Sequence, residues 1–148
     1  MSITYHSEGV KKPKLQYRCV SVWIKQVITK FDFEAGNLTY IFCDDEYLKI
    51  LNLKYLNHDY YTDIVTFDYN EGKVISGDMF ISLDRVKENA VLFNCNFTDE
   101  LLRVIVHGLL HLLGYKDSND NEKAIMRTVE NECIFMFKEL GNGCIKGI

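Results

Sequence analysis

The segment that most limits the fold is a strongly apolar helix, opened by Thr98-Asp99-Glu100, running to Leu113 and ended by Gly114. Glycine suits that last position because it accepts the left-handed backbone with which helices turn off. His107 and His111 stand four residues apart within it. That spacing projects both imidazoles from one helical face, with Cβ atoms about 5–6 Å apart. An apolar helix would rarely bury two imidazoles without partners, so the segment predicts a site as well as a core element.

Around this helix the remaining sequence reads as interleaved strands and helices. Residues 2–7 form a first strand through Ile3 and Tyr5. Pro13 fits the first turn of a helix that continues to about Phe31, with Leu15, Cys19, Trp23, Val27 and Phe31 as its buried stripe. Asn37 to Cys43 is apolar on both sides, as an interior strand covered on both faces should be. Asp44 then caps a helix whose first turn holds Asp45 and Glu46 and whose inner face is Tyr47, Leu48, Leu51 and Tyr55. Thr62 to Phe67 and Gly77 to Ser82 read as strands paired in a hairpin through the turn Asn70-Glu71-Gly72-Lys73. Asp84 caps a short helix through Val86, Ala90 and Phe93. A last amphipathic helix, about Asn121 to Leu140, shows Ile125, Val129, Cys133, Met136, Phe137 and Leu140, and Gly141 and Gly143 end it before a loose tail. The predicted class is α+β: a single domain with a small mixed β-sheet packed against about five helices.

Composition is consistent with that class. A chain of 148 residues fits one domain, and 47% apolar with 26% charged residues predicts a folded chain. No linker-like tract divides it, the first residues, Met1 to Glu8, lack the apolar core of a secretory signal, and no apolar run approaches roughly 18 residues, so neither a leader nor a membrane span is expected. Five widely spaced cysteines without a C-x-x-C pair suit reduced thiols, several of them core-filling, in a cytoplasmic protein. The net charge of −4 gives no general pull toward nucleic acid, so RNA binding needs a local basic patch or the charge of a bound metal. The densest basic stretch, Lys11, Lys12, Lys14 and Arg18, reads as a solvated helix start.

The His107–His111 pair lets two imidazoles meet one metal ion, with zinc–nitrogen bonds near 2.0–2.1 Å. Alone, such a pair is equally compatible with packing. Gly114 turns the chain, so Asp117 can swing back as a third ligand. Three protein ligands without an evident fourth leave a position for water, as in catalytic zinc sites. An H-E-x-x-H metalloprotease takes its general base from the residue after the first histidine. Here that residue is Gly108, so the base is missing.

The stretch HGLLHLLGYKD, residues 107–117, resembles the signature H-G-x-L-H-L-x-G-Y-D-H of the YbeY family of bacterial endoribonucleases and rRNA maturation factors. Leu51-Asn52, Asp59 and Thr62-Asp63-Ile64-Val65-Thr66-Phe67 are similar to a second family block, and Gly77-Asp78-Met79-Phe80-Ile81-Ser82 to a third. The blocks keep the family's order. The resemblance implies one metal-dependent RNase domain over residues 1–148, with the metal at the end of a cleft beside the sheet. It further implies a cytoplasmic, single-strand-selective endoribonuclease that acts on rRNA precursors with the small ribosomal subunit, in rRNA maturation and ribosome quality control. No DNA partner is expected.

Four positions depart from the pattern. Asp117 stands where the family has its third histidine and Lys116 where it has an aspartate. A carboxylate ligand adds negative charge and weakens the metal as a Lewis acid, an effect Lys116 would partly offset. Leu56 replaces the family's basic residue after Leu-Asn-x-x-Tyr, leaving Lys54 or His58 as substitutes, and Tyr61 replaces a usual proline. The expected cofactor is one Zn2+ held by His107, His111 and Asp117, with other divalent ions compatible with the donors. Asp63 is the candidate catalytic carboxylate, its structural reading being a turn or cap hydrogen bond at the strand start, and Asp78 is read the same two ways. Tyr60, Tyr61 and Tyr115 can stack on bases or pack at the edge of the core. Two other functions fit the residues: a metal hydrolase of a non-RNA substrate, and a ribosome-associated factor with a mainly structural metal.

Overall fold

The computed structural model describes residues 2–146, with side chains to residue 140. The elements run β1 (Ser2–Ser7), α1 (Tyr17–Lys30), β2 (Glu34–Cys43), α2 (Asp45–Leu56), β3 (Ile64–Asp68), β4 (Val74–Ser82), α3 (Leu83–Leu92), α4 (Phe97–Leu112) and α5 (Asp120–Lys146). The sheet order is β1-β2-β4-β3. β1 and β4 both pair with β2 in parallel, and β3 returns antiparallel on β4 as the expected hairpin. The result is the predicted α+β architecture: a mixed four-stranded sheet with five helices.

β2 is the interior strand its two apolar faces predict. Leu38, Tyr40 and Phe42 face the main core with Trp23, Ile24, Ile105 and Leu109. On the other face Cys43 packs with Leu48 of α2 and Val65 of β3. The helices divide accordingly, with α1, α4 and α5 building the larger layer and α2 covering the opposite face. Trp23 fastens α1 to α5, its indole N–H donating to the Cys133 carbonyl at 2.7 Å.

Several boundaries and faces differ from expectation. Pro13 lies ahead of α1, in an irregular stretch, and Gln16 precedes the helix without a side-chain cap. Ser82 rather than Asp84 caps α3, because its hydroxyl accepts from Arg85 N–H at 3.2 Å. Asn96 caps α4 one residue before Phe97 by accepting from Asp99 N–H. α2 buries only Leu48 and Asn52, since nothing packs outside it, and Tyr47 and Tyr55 are exposed. Ile125 and Phe93 are exposed where an inner face was expected; on α5 Met126 takes the buried position instead. α5 continues to Lys146 past Gly141 and Gly143. The predicted loose tail falls, from residue 147, outside the described residues. Cys43, Cys95 and Cys133 are free thiols, the first and last in the core.

α4 lies close on the hairpin. A Cβ built on Gly77 in β4 would stand 2.6 Å from the Phe67 carbonyl oxygen and 3.2 Å from Leu112 Cδ1. Backbone on one side and a packed helix on the other leave it nowhere to go. Gly77→Ala should therefore lower stability by about 1–3 kcal/mol, the usual cost of overpacking. Urea denaturation checks this as a lower midpoint at constant slope; an unchanged midpoint would contradict the tight α4–hairpin contact.

Candidate metal centre

The end of α4 is built to reverse the chain. Gly114 takes φ +103°, its N–H bonds to the His111 carbonyl at 3.0 Å, and Tyr115 N–H bonds to the Leu110 carbonyl at 3.0 Å. This is the paired hydrogen-bond pattern of a Schellman turn. The hairpin turn fixes the same helix end, because the Asn70 side-chain amide donates to the Leu112 carbonyl at 2.8 Å. Beyond the turn, Asn119 caps the start of α5 by accepting from Glu122 N–H, and the Glu122 carboxylate accepts from Ser118 N–H. Asp117 sits between these two fixed points and is thereby returned to the face of α4 that carries the histidines.

Three donor atoms converge there. His107 Nε2 and His111 Nε2 are 3.0 Å apart, and Asp117 Oδ2 lies 3.2 Å from the first and 3.5 Å from the second. Bonds of about 2.0–2.1 Å in tetrahedral directions place ligand atoms roughly 3.3 Å apart. The observed triangle has that size, so the group could hold a metal ion. The other ring nitrogens are already occupied. His107 Nδ1 meets Glu130 Oε2 at 2.6 Å, and His111 Nδ1 meets the Tyr115 carbonyl at 3.0 Å. A carbonyl can only accept, so His111 carries its proton on Nδ1 and leaves Nε2 with a lone pair facing the triangle. Outer partners of this kind orient imidazole ligands and raise their basicity.

Glu130 is itself buried and is held by Arg103 Nη1 at 2.9 Å, while Arg103 Nη2 donates to Asn131 at 2.9 Å. Burial favours the neutral form of His107. The Glu130 hydrogen bond and the Glu130, Asp63 and Asp117 charges outweigh it, and the imidazole pKa is raised. For Glu130 burial acts upward, but His107 and Arg103 outweigh it and the pKa is lowered. The Arg103–Glu130–His107 chain thus links α4 to α5 directly behind the triangle.

A cleft of about 320 Å³ opens beside these residues, with Asp63, Glu100, Arg103, His107, Asp117 and Glu130 in its lining. Burial raises the Asp63 pKa, partly opposed by His107 and by hydrogen bonds from the backbone at Asp63 and Ile64. Asp63 is thus both a cleft carboxylate and a turn-capping one. Burial likewise raises Glu100, opposed by Arg103.

The three predicted ligands are brought together, and Asp63 shares their cleft. Asp78 is not among the residues that line it. Lys54 lies over the Tyr55 ring and His58 stacks on Tyr60, so neither described side chain lines the cleft in place of the basic residue missing at Leu56. Tyr60 and Tyr61 are exposed rather than packed at the core's edge, and Tyr115 packs edge-on against Phe31. Lys116 is exposed and forms no ion pair among the described residues. Gly108 faces the sheet, where a Cβ would stand 2.5 Å from Ile64 Cδ1, so a metalloprotease-type glutamate has no room there. Arg103 and Glu130 went unread in the sequence. The available signal was a carboxylate inside a helical apolar stripe, four residues after Met126 and three before Cys133.

Comparison with known proteins gives one answer. Residues 3–138 match the family model described as Endoribonuclease YbeY. A protein of that name from Bacteroides fragilis is 48% identical over 94% of this chain and all of its own length. One from Flavobacterium johnsoniae is 51% identical over 78% of this chain and 83% of its own. A solution structure from Thermotoga maritima superposes with a TM-score of 0.65 at 25% identity, covering 98% of this chain and 93% of that one. The chain therefore belongs to the YbeY endoribonuclease family.

Proposed function

We propose that this protein is a zinc-dependent, single-strand-selective endoribonuclease of the cytoplasm, acting on rRNA precursors at the small ribosomal subunit in rRNA maturation and ribosome quality control. The observation that carries the reading is the triangle of His107 Nε2, His111 Nε2 and Asp117 Oδ2, with sides of 3.0, 3.2 and 3.5 Å and both Nδ1 atoms engaged behind it. Two imidazoles and a carboxylate suit zinc and leave its fourth position open. Among the described residues no helix is long and apolar enough to cross a membrane.

Bound there, a divalent ion supplies Lewis acidity toward a phosphoryl oxygen and lowers the pKa of water. The residues divide the remaining work. His107 and His111 direct Nε2 at the ion and are unavailable as bases. Asp117 closes the ligand set and returns one negative charge to it. Asp63, which lines the cleft beside the triangle and whose pKa burial raises, accepts the proton of the attacking hydroxyl, whether from water or from the ribose 2′ position. Glu130 holds His107 and stays ionised against Arg103.

Elemental analysis combined with a cleavage assay tests this reading. Purified protein should carry about one zinc per chain and cut single-stranded RNA in preference to duplex. A chelator should abolish cleavage, and zinc should restore it. His111→Ala protein, purified in parallel to expose contaminating nuclease, should hold little metal and cut at the background rate. Equal cleavage by both preparations sinks the nuclease reading. A metal-loaded wild type that cuts no RNA leaves the non-RNA hydrolase or the structural-metal factor in its place.

A further inference from the structure

A nuclease has to hold a polyanion against its cleft, and a chain of net charge −4 has no general attraction to offer. Position 56 supplies no cation, and Lys54 and His58 are engaged elsewhere. The cations of the cleft lie instead on its α3–α5 wall. Lys123 and Arg127 are one helical turn apart on α5, and with Met126 and Glu130 they form the face of that helix that lines the cleft. Both are exposed, and neither forms an ion pair among the described residues. Arg103 differs from them, since Glu130 already neutralises it.

An aromatic ring stands beside these cations. Phe93 ends α3 with 53% of its surface exposed, and the Arg127 guanidinium lies 5.9 Å from its ring centroid. Nothing in the core accounts for an exposed phenylalanine at the mouth of this cleft. Below the rim the floor is acidic, with Asp63 and Glu100, which keeps phosphates at the rim. At about 320 Å³ the cleft is at the lower end of the roughly 300–1,000 Å³ usual for small-ligand sites, room for a nucleotide unit and not for a folded partner.

We infer that Phe93, Lys123 and Arg127 form a subsite for a single nucleic-acid strand, Phe93 stacking on one base while Lys123 and Arg127 hold the flanking phosphates and lead the strand to the triangle. The inference rests on the endoribonuclease reading above. It gives that reading a source of strand selectivity, because stacking needs a base face that a duplex keeps covered. It also supplies positive charge that position 56 does not.

The test is fluorescence anisotropy of metal-loaded protein with a short labelled single-stranded RNA carrying 2′-O-methyl groups, which resists cleavage. The Lys123→Ala/Arg127→Ala double variant should bind about tenfold more weakly near physiological salt. The slope of log K against log salt should shrink by roughly 1.4, or about 0.7 per lost phosphate contact. Phe93→Ala should weaken binding about tenfold with the slope unchanged, as loss of one stacked base predicts. Lys25→Ala, on α1 outside the cleft, should alter neither. Circular dichroism and metal content serve as controls on folding. Unchanged affinity and slope in the double variant, with a wild type that binds and cleaves RNA, overturn the subsite and leave the nuclease reading standing. An equal loss in Lys25→Ala overturns it too, since total charge would then be responsible. A wild type that neither binds nor cleaves single-stranded RNA removes both.

Discussion

Glu130→Ala should lower the stability of the protein by about 3 kcal/mol and weaken its affinity for zinc by 10–100-fold, although Glu130 is not itself a ligand. Removing one partner of a buried ion pair generally costs about 3–5 kcal/mol, because the other charge is left without compensation. The lower end applies here: Arg103 keeps its bond to Asn131, and its side chain is 23% exposed. The metal effect has a separate cause. Without Glu130, nothing described holds the His107 Nδ1 proton at 2.6 Å, so the imidazole loses its fixed tautomer and orientation. Losses of 10–100-fold are usual when such outer partners of metal ligands are removed. Glu130→Gln separates the two effects. It keeps the side-chain shape and one acceptor, so much of the stability should return, while the ligand's basicity, which depends on the carboxylate charge, should not. Urea denaturation of the metal-free protein and competition with a chromogenic chelator read the two quantities independently. Full zinc affinity in Glu130→Ala would show that His107 is oriented by its own helix alone.

The legibility of this molecule in its sequence follows the range of the interactions. Short-range patterns were readable. Asp44 accepts from Tyr47 N–H as a cap should, Gly114 takes the left-handed turn, and the two apolar faces of β2 fit its place inside the sheet. The His107–His111–Asp117 group that could hold a metal was readable for the same reason, since all three side chains lie within eleven positions of sequence joined by a helix and a turn. What stayed hidden depends on how distant elements meet. The burial of α5 is set by Trp23 and the core beneath it, which bury Met126 and leave Ile125 in solvent. That same face carries Glu130 behind the histidines and Lys123 and Arg127 over the cleft. Phe93 looked like an inner-face residue because its spacing from Val86 and Ala90 is helical, yet α3 ends there and the ring points out. Asn70 shows the limit most simply: a turn residue by type, it closes α4 across 42 positions of sequence.

Asp117→Ala should reduce zinc affinity on the order of 100-fold and remove RNA cleavage at ordinary metal concentrations, whereas Asp117→His should retain the metal. Zinc sites with four protein ligands bind with roughly 10–16 kcal/mol. One ligand then stands for about 3 kcal/mol, or on the order of 100-fold in affinity. The two imidazoles that remain, 3.0 Å apart at Nε2, have both outer nitrogens engaged and should stay in place, so the loss is one of donors and not of fold. Asp117 is 40% exposed at its side chain and, among the described residues, pairs with the histidines alone, which makes a large stability effect unexpected. Histidine at this position restores the family's pattern and exchanges an anionic ligand for a neutral one. The ion then carries one more net positive charge and is the stronger Lewis acid, so the pH above which cleavage rises should move down relative to wild type. The position of Asp117 between the Schellman turn and the Asn119–Glu122 cap decides whether the longer side chain can be seated without moving the loop. Metal content, competition affinity and the pH–rate profile of the three proteins together test the assignment. Wild-type zinc affinity in Asp117→Ala would exclude this carboxylate from the ligand set and leave a two-histidine site without a third protein donor.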